Sequence, residues 1–158
     1  MAESGLMEDL YREIILDHYR QPRNRGAAIE PTCSADGANP LCGDQIRIDV
    51  ALVDGVVEAI AFSGQGCSIS QASASLMSNY VAGKSVEEAI EAVGAFQQMM
   101  TSGEAPTTVD LGDIEALLGV AKFPVRVKCA SLGWKTLEQA LKNGASAPTP
   151  VTTDERSM

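Results

Sequence analysis

At 158 residues, 45% hydrophobic and 21% charged, the chain has the material for one ordinary globular domain with its own apolar core. Its 12 basic residues against 21 acidic ones give a formal charge of −9, which disfavours nucleic acid or an anionic membrane surface and favours a basic patch on another protein as partner. No apolar run reaches the roughly 18–20 residues of a membrane span, and Met1-Ala2-Glu3-Ser4 lacks the basic-then-apolar form of a signal peptide, so a cytoplasmic setting is expected.

The first predicted element is a helix over about Leu6 to Tyr19, with an apolar stripe at Met7, Leu10, Tyr11, Ile14 and His18. Pro22 and Gly26 forbid its continuation. His18, the one histidine, sits on that apolar face with nothing nearby to complete a metal site, so it is expected as a hydrogen-bonded core residue. Arg20, Arg23 and Arg25 read as a solvated face, with a docking patch as the alternative. Residues 26–40 read as a loop with room for one short edge strand, and Cys33 within it as an incidental loop thiol.

A β-hairpin follows. Ile46, Ile48, Val50 and Leu52 alternate with Arg47, Asp49, Ala51 and Val53, and Asp54-Gly55 is a strong two-residue turn signal before a second alternation from Val56 to Phe62. Ser63-Gly64-Gln65-Gly66-Cys67 then turns the chain sharply and brings the Cys67 thiol to the end of the sheet. The next predicted helix, Ser68 to Ala82, is rich in small residues and starts just after Cys67, where the helix dipole favours negative charge. Gly83 ends it, and Ser85 with Glu88 forms a capping box for a further helix with the stripe Val86, Ala89, Ile90, Val93 and Met100.

Residues 102–108 read as a loop, and Asp110 to Leu118 as a short helix closed by Gly119. The last long helix is expected to start at Pro124, a favoured first-turn proline, and to end at Asn143-Gly144. Val125, Cys129, Leu132, Thr136, Leu137, Ala140 and Leu141 share one face of it, which turns Cys129 inward. The segment from Ala145 to Met158 has Pro148, Pro150 and no periodicity, and is expected to be a disordered tail on a single domain of residues 1–144.

Four scattered cysteines in a reducing compartment read as ligands or reactive thiols rather than disulfides. The turn-rich stretch Asn39-Pro40-Leu41-Cys42-Gly43-Asp44 places a thiol and a carboxylate two residues apart, so in an extended strand they converge on one point. With Cys67 and Cys129, Cys42 and Asp44 make three thiolates and one carboxylate, a set that suits tetrahedral zinc and is compatible with an iron–sulfur cluster. All four positions filled by protein is how structural zinc looks; the carboxylate, a weaker partner in a soft site, points instead to lability.

Three motifs in this order resemble the U-type iron–sulfur assembly proteins: the Asn39–Asp44 stretch, Gly64-Gln65-Gly66-Cys67 running on through Ser75, and Arg126-Val127-Lys128-Cys129-Ala130. The resemblance spans about Leu10 to Leu141 and includes Leu10-Tyr11-Arg12-Glu13 and Asp17-His18-Tyr19. The scaffold branch of that family, IscU, carries a histidine directly before its third cysteine and a double proline upstream. Here Lys128 precedes Cys129, the upstream residues are Phe123-Pro124-Val125-Arg126-Val127, and an additional segment lies around Thr101 to Val120. In these respects the chain looks like the SufU branch.

The resemblance implies an α+β domain of the SufE/NifU-like kind, with helices packed on one face of a small antiparallel sheet and a flexible C-terminal tail. It implies a zinc site of Cys42, Asp44, Cys67 and Cys129, with Cys42 as the acceptor of persulfide sulfur. The implied activity is that of a sulfurtransferase working with a SufS-type cysteine desulfurase, rather than a free-standing enzyme, and delivering sulfur to downstream iron–sulfur assembly machinery. A scaffold holding a transient iron–sulfur cluster on the same ligands is the alternative, and a structural zinc interaction module the second. Arg126 is expected either to pair with Asp44 or steady the freed thiolate, or to be an ordinary solvated arginine. Lys128 is expected at the surface.

Overall fold

Alternation of apolar and polar residues puts every second side chain of a strand on one face, and the sheet of this chain is built around that pattern. The structure is a computed structural model that describes residues 2–40, 43–143 and 151–152, with backbone alone at 2–8 and 151–152. In chain order its elements are α1 (Ala2–Arg20), β1 (Cys33–Asn39), β2 (Asp44–Val53), β3 (Val56–Gln65) and α2 (Ser68–Val81). They are followed by α3 (Val86–Ser102), a 3-10 helix (Gly112–Lys122), α4 (Pro124–Lys142) and β4 (Val151–Thr152).

β2 and β3 are antiparallel and meet at Asp54-Gly55, whose φ angles of 51° and 77° are those a two-residue primed turn needs. β1 pairs antiparallel with β2, from Cys33 opposite Val50 to Asn39 opposite Asp44, and β4 adds a short parallel bridge at Gly37 and Ala38. The strand order is β3-β2-β1-β4. Ala35, Ile46, Ile48, Val50, Val57, Ile60 and Phe62 are buried beneath the helices. Asp36 and Arg47 point the other way, exposed, and pair across the strands at 3.4 Å. One wet and one covered face is the expected form of an antiparallel sheet.

α4 crosses the covered face so closely that a Cβ at Gly37 would run into the Thr136 and Leu132 side chains, so only glycine fits there. α2 lies beside it, tied by Ser73 Oγ donating to the Ala130 carbonyl at 2.6 Å while Trp134 Nε1 donates to Ser73 Oγ at 3.2 Å. α3 closes the far side through Phe96, stacked on Trp134 with ring centroids 4.5 Å apart. The Ser85–Glu88 capping box forms as expected at the start of α3. Among the described residues, no helix is long and apolar enough to cross a membrane.

Several local expectations are corrected. The segment predicted as a loop with one short edge strand contains β1, seven residues long and flanked by β2 and β4. Ser34, Asp36, Gly37 and Asn39 have low strand propensity, and pairing with β2 under the cover of α4 overrides it. Cys33 is therefore a core residue, 7% exposed, rather than a loop thiol, and burial pushes its thiol pKa up. The 3-10 helix runs through Gly119 to Lys122 instead of stopping at Leu118, and ends at Phe123, which is extended as the residue before Pro124 must be. α1 is longer than predicted and Leu10 on it is 54% exposed, while the Met7 side chain lies outside the described residues. Val125 is 58% exposed instead of inward, because the first turn of α4 runs past the layer it packs on. Of the expected tail, Val151 and Thr152 pair with β1, and residues 145–150 and 153–158 lie outside the described residues.

Candidate metal centre

Two glycines let β3 turn directly into α2. Gly64 has a φ of 120°, a conformation side chains rarely adopt, and a Cβ there would strike the Gln45 carbonyl. A Cβ at Gly66 would strike Ser70 and the Asp44 carboxylate. The turn thus sets Cys67 at the N-cap of α2, where its Sγ accepts from Ser70 N at 3.5 Å.

Asp44, the first residue of β2, is 1% exposed. Its Oδ1 accepts from Cys67 N at 2.9 Å, and Oδ2 stands 3.9 Å from Cys67 Sγ. Cys129, 3% exposed, comes down from α4. The ligand atoms of Asp44, Cys67 and Cys129 all lie within 4.8 Å of one another. Donors about 2.3 Å from a tetrahedral zinc stand about 3.8 Å apart, so this trio is close to the spacing such an ion imposes. Two sulfurs and a buried carboxylate are also donor types that a borderline-soft divalent ion takes. The residues fit a soft divalent metal.

Cys42 lies in the connection 40–43 between β1 and β2, two residues before Asp44, and is outside the described residues. Arg126 is exposed, with its guanidinium 5.7 Å from the centroid of the Phe123 ring. Lys128 is half-buried and lines a cleft of about 420 Å³ with Met100, Pro124 and Val127.

The remaining candidates are occupied elsewhere. His18 is 4% exposed, with Nδ1 2.8 Å from Ser75 Oγ, as expected for a core histidine. Burial first, and then the Arg23 guanidinium, hold its pKa below the ordinary value. Arg23 pairs with Asp17 at 2.7 Å, and Arg25 donates to Gln71 Oε1 at 3.0 Å and to the Gly64 carbonyl at 2.7 Å. Arg20, the third residue of the expected basic cluster, is exposed.

Sequence reasoning missed Asn39. It is fully buried at the end of β1, and its Nδ2 donates to Cys129 Sγ at 3.8 Å. Its Oδ1 is the one buried side-chain oxygen or nitrogen without a hydrogen-bond partner among the described residues. Leaving such an atom unpaired costs about 1–3 kcal/mol. The available signal was Asn39-Pro40, which reads equally well as ordinary turn chemistry.

Comparison with known proteins places this geometry. The family model described as the NifU-like N terminal domain matches residues 10–130. The chain is 46% identical over 141 residues to the zinc-dependent sulfurtransferase SufU of Bacillus subtilis, covering 89% of this chain and 95% of that protein. It is 42% identical over 147 residues to the iron–sulfur cluster assembly scaffold protein IscU of Streptococcus pyogenes, covering 93% and 91%. It is also similar to a solved structure described as a candidate iron–sulfur cluster assembly scaffold for the SUF system of Fervidobacterium islandicum. That match has a TM-score of 0.74 and 34% identity, over 82% of this chain and 94% of that one.

Proposed function

The chain belongs to the NifU-like N terminal domain family, and from that premise we propose that it is a zinc-dependent sulfur acceptor serving iron–sulfur cluster assembly. Its sulfur donor is the persulfide of a SufS-type cysteine desulfurase. The observation that carries this reading is the convergence of Asp44, Cys67 and Cys129. The similarity to a zinc-dependent sulfurtransferase over most of both chains supports it.

Asp44, Cys67 and Cys129 would hold the metal together with Cys42 from the 40–43 connection. Bound zinc does no redox chemistry and keeps its sulfur ligands deprotonated. Cys67 and Cys129 are carried by helices and each accepts an N–H, while Asp44 spends one oxygen on Cys67 N. Cys42 is the sulfur set between two strand ends, and in this reading it is the one that exchanges. A donor histidine from the desulfurase would take its place in the ligand set. As a thiolate, Cys42 attacks the terminal sulfur of the partner's persulfide. The bond between the two persulfide sulfurs breaks, a new sulfur–sulfur bond to Cys42 forms, and the partner's cysteine leaves as a thiolate, so no external oxidant is needed. Arg126, exposed at the start of α4, is available to steady the freed thiolate by charge.

The test is made on the full chain purified without air. Tight zinc without colour, and the mass of one added sulfur atom at Cys42 after incubation with desulfurase and cysteine, are expected. Cys42→Ala should abolish stimulation of cysteine turnover, and unchanged turnover with that variant removes Cys42 from the mechanism. The similarity to scaffold proteins keeps a second reading in view: iron with a brown chromophore in the same preparation would favour a transient cluster on these ligands.

A further inference from the structure

We propose that Asn39 is a positioning residue of the metal centre: its buried amide holds the Cys129 sulfur in its ligating orientation. The proposal rests on the metal-site reading above. Asn39 and Asp44 are opposite each other in register, so a single strand pair delivers a carboxylate ligand from β2 and an amide donor from β1 at the same level. The amide reaches across to a sulfur 90 residues later in the chain, on α4.

The energetics single this residue out. Asn39 is fully buried and, among the described residues, its Oδ1 has no partner, so within them that oxygen gives the fold nothing that an apolar side chain would not. What the amide provides is the N–H toward Cys129. A hydrogen bond to a neutral thiol is weak, and one to a thiolate is charge-assisted and much stronger. The donated N–H therefore has its use where Cys129 serves as a metal ligand. Groups that donate to a metal ligand fix its orientation and tune the metal in the same way. Ser70 N does this for Cys67, so both sulfurs carried by helices have an N–H donor.

The experiment compares the parent chain with Asn39→Leu, which matches the shape of the amide and lacks its donor. Zinc affinity is read by competition with a chelator, the sulfur-to-metal charge-transfer band is read after cobalt substitution, and the melting temperature is read without metal. The expected result is a zinc dissociation constant raised about 10- to 100-fold, a cobalt band moved to lower energy, and a metal-free melting temperature equal to or above the parent's. Zinc affinity within about twofold of the parent, well short of the effect expected of an outer ligand partner, overturns the proposal. So does an unmoved cobalt band, or a lowered metal-free melting temperature, which would make Asn39 a residue of the fold alone. Asn39→Ala, too small to clash, gives the zinc and cobalt readings should Asn39→Leu fail to fold; its melting temperature does not count, because truncating a buried side chain leaves a cavity that lowers it in any case. A parent chain without zinc affinity defeats the metal-site reading itself, and that is seen before any variant is compared.

Discussion

Two buried polar regions of this molecule are built on opposite terms. On the outer side of α2, Ser75 Oγ accepts from Arg23 N and faces His18 Nδ1, both at 2.8 Å. Ser78 Oγ donates toward the carbonyls of Arg23 and Ser75 at 3.1 and 2.9 Å, while Asn24 Nδ2 donates to it at 3.0 Å. Among the described residues, every polar side-chain atom buried there is matched. At the sheet corner, Asp44, Cys129 and Asn39 are buried too, yet among the described residues one amide oxygen has no partner and three ligand atoms face one another. The matched network behaves as a fastener, docking the α1 end and the loop after it onto α2. The unmatched cluster is what a fold looks like where it is shaped for something beyond itself.

That contrast can be broken most forcefully at Asp44. Asp44→Ala should lower zinc affinity by more than about 100-fold, beyond the range of a residue that only supports a ligand, as read by chelator competition. Full retention of zinc would show that the carboxylate is not a ligand and that the corner is a polar core like the other.

The fastener is tested next. Ser75→Ala leaves the His18 ring and the Arg23 amide without their shared partner and should cost about 1–3 kcal/mol in urea unfolding, with zinc affinity unchanged. A fall in zinc affinity would couple the two regions and blur the distinction between them.

The smallest effect is in the pH dependence of that same network. His18 has a folded pKa below its ordinary value of 6.5, because burial and then Arg23 disfavour its charged form. As pH falls through 6.5 the unfolded chain takes the proton first. The stability tied to the neutral ring is therefore complete above that pH and is lost on acidification through the folded value, with a slope of at most about 1.4 kcal/mol per pH unit. Unfolding measured near neutrality and at mildly acid pH should show this loss in the parent and less of it in His18→Gln; equal losses would remove His18 as the cause.

The legible features were those whose physics is short-range. The hairpin was readable because alternation and Asp54-Gly55 specify it within a few residues, and the start of α3 because Ser85 and Glu88 satisfy each other's backbone. His18 was readable as core from its place in a helical stripe. β1 was not, since Cys33-Ser34-Ala35-Asp36-Gly37-Ala38-Asn39 has no β-branched or aromatic residue and becomes a strand through its neighbours. For the same reason Cys33 was misplaced in a loop, and Asn39 was read as turn chemistry when its side chain was already inside the molecule.

The sequence by itself determined the donor types of the candidate site, the glycines that let the chain approach it, and the caps and turns that begin its elements. Whether those donors could meet was decided by tertiary structure alone. Asp44 begins a strand, Cys67 caps a helix and Cys129 lies well inside another, and their ligand atoms come within 4.8 Å only because α2 and α4 pack on one face of the sheet at a fixed depth. That depth is set by many small contacts summed over the whole core, from Gly37 beneath α4 to Phe96 against Trp134, and no short stretch of chain encodes such a sum.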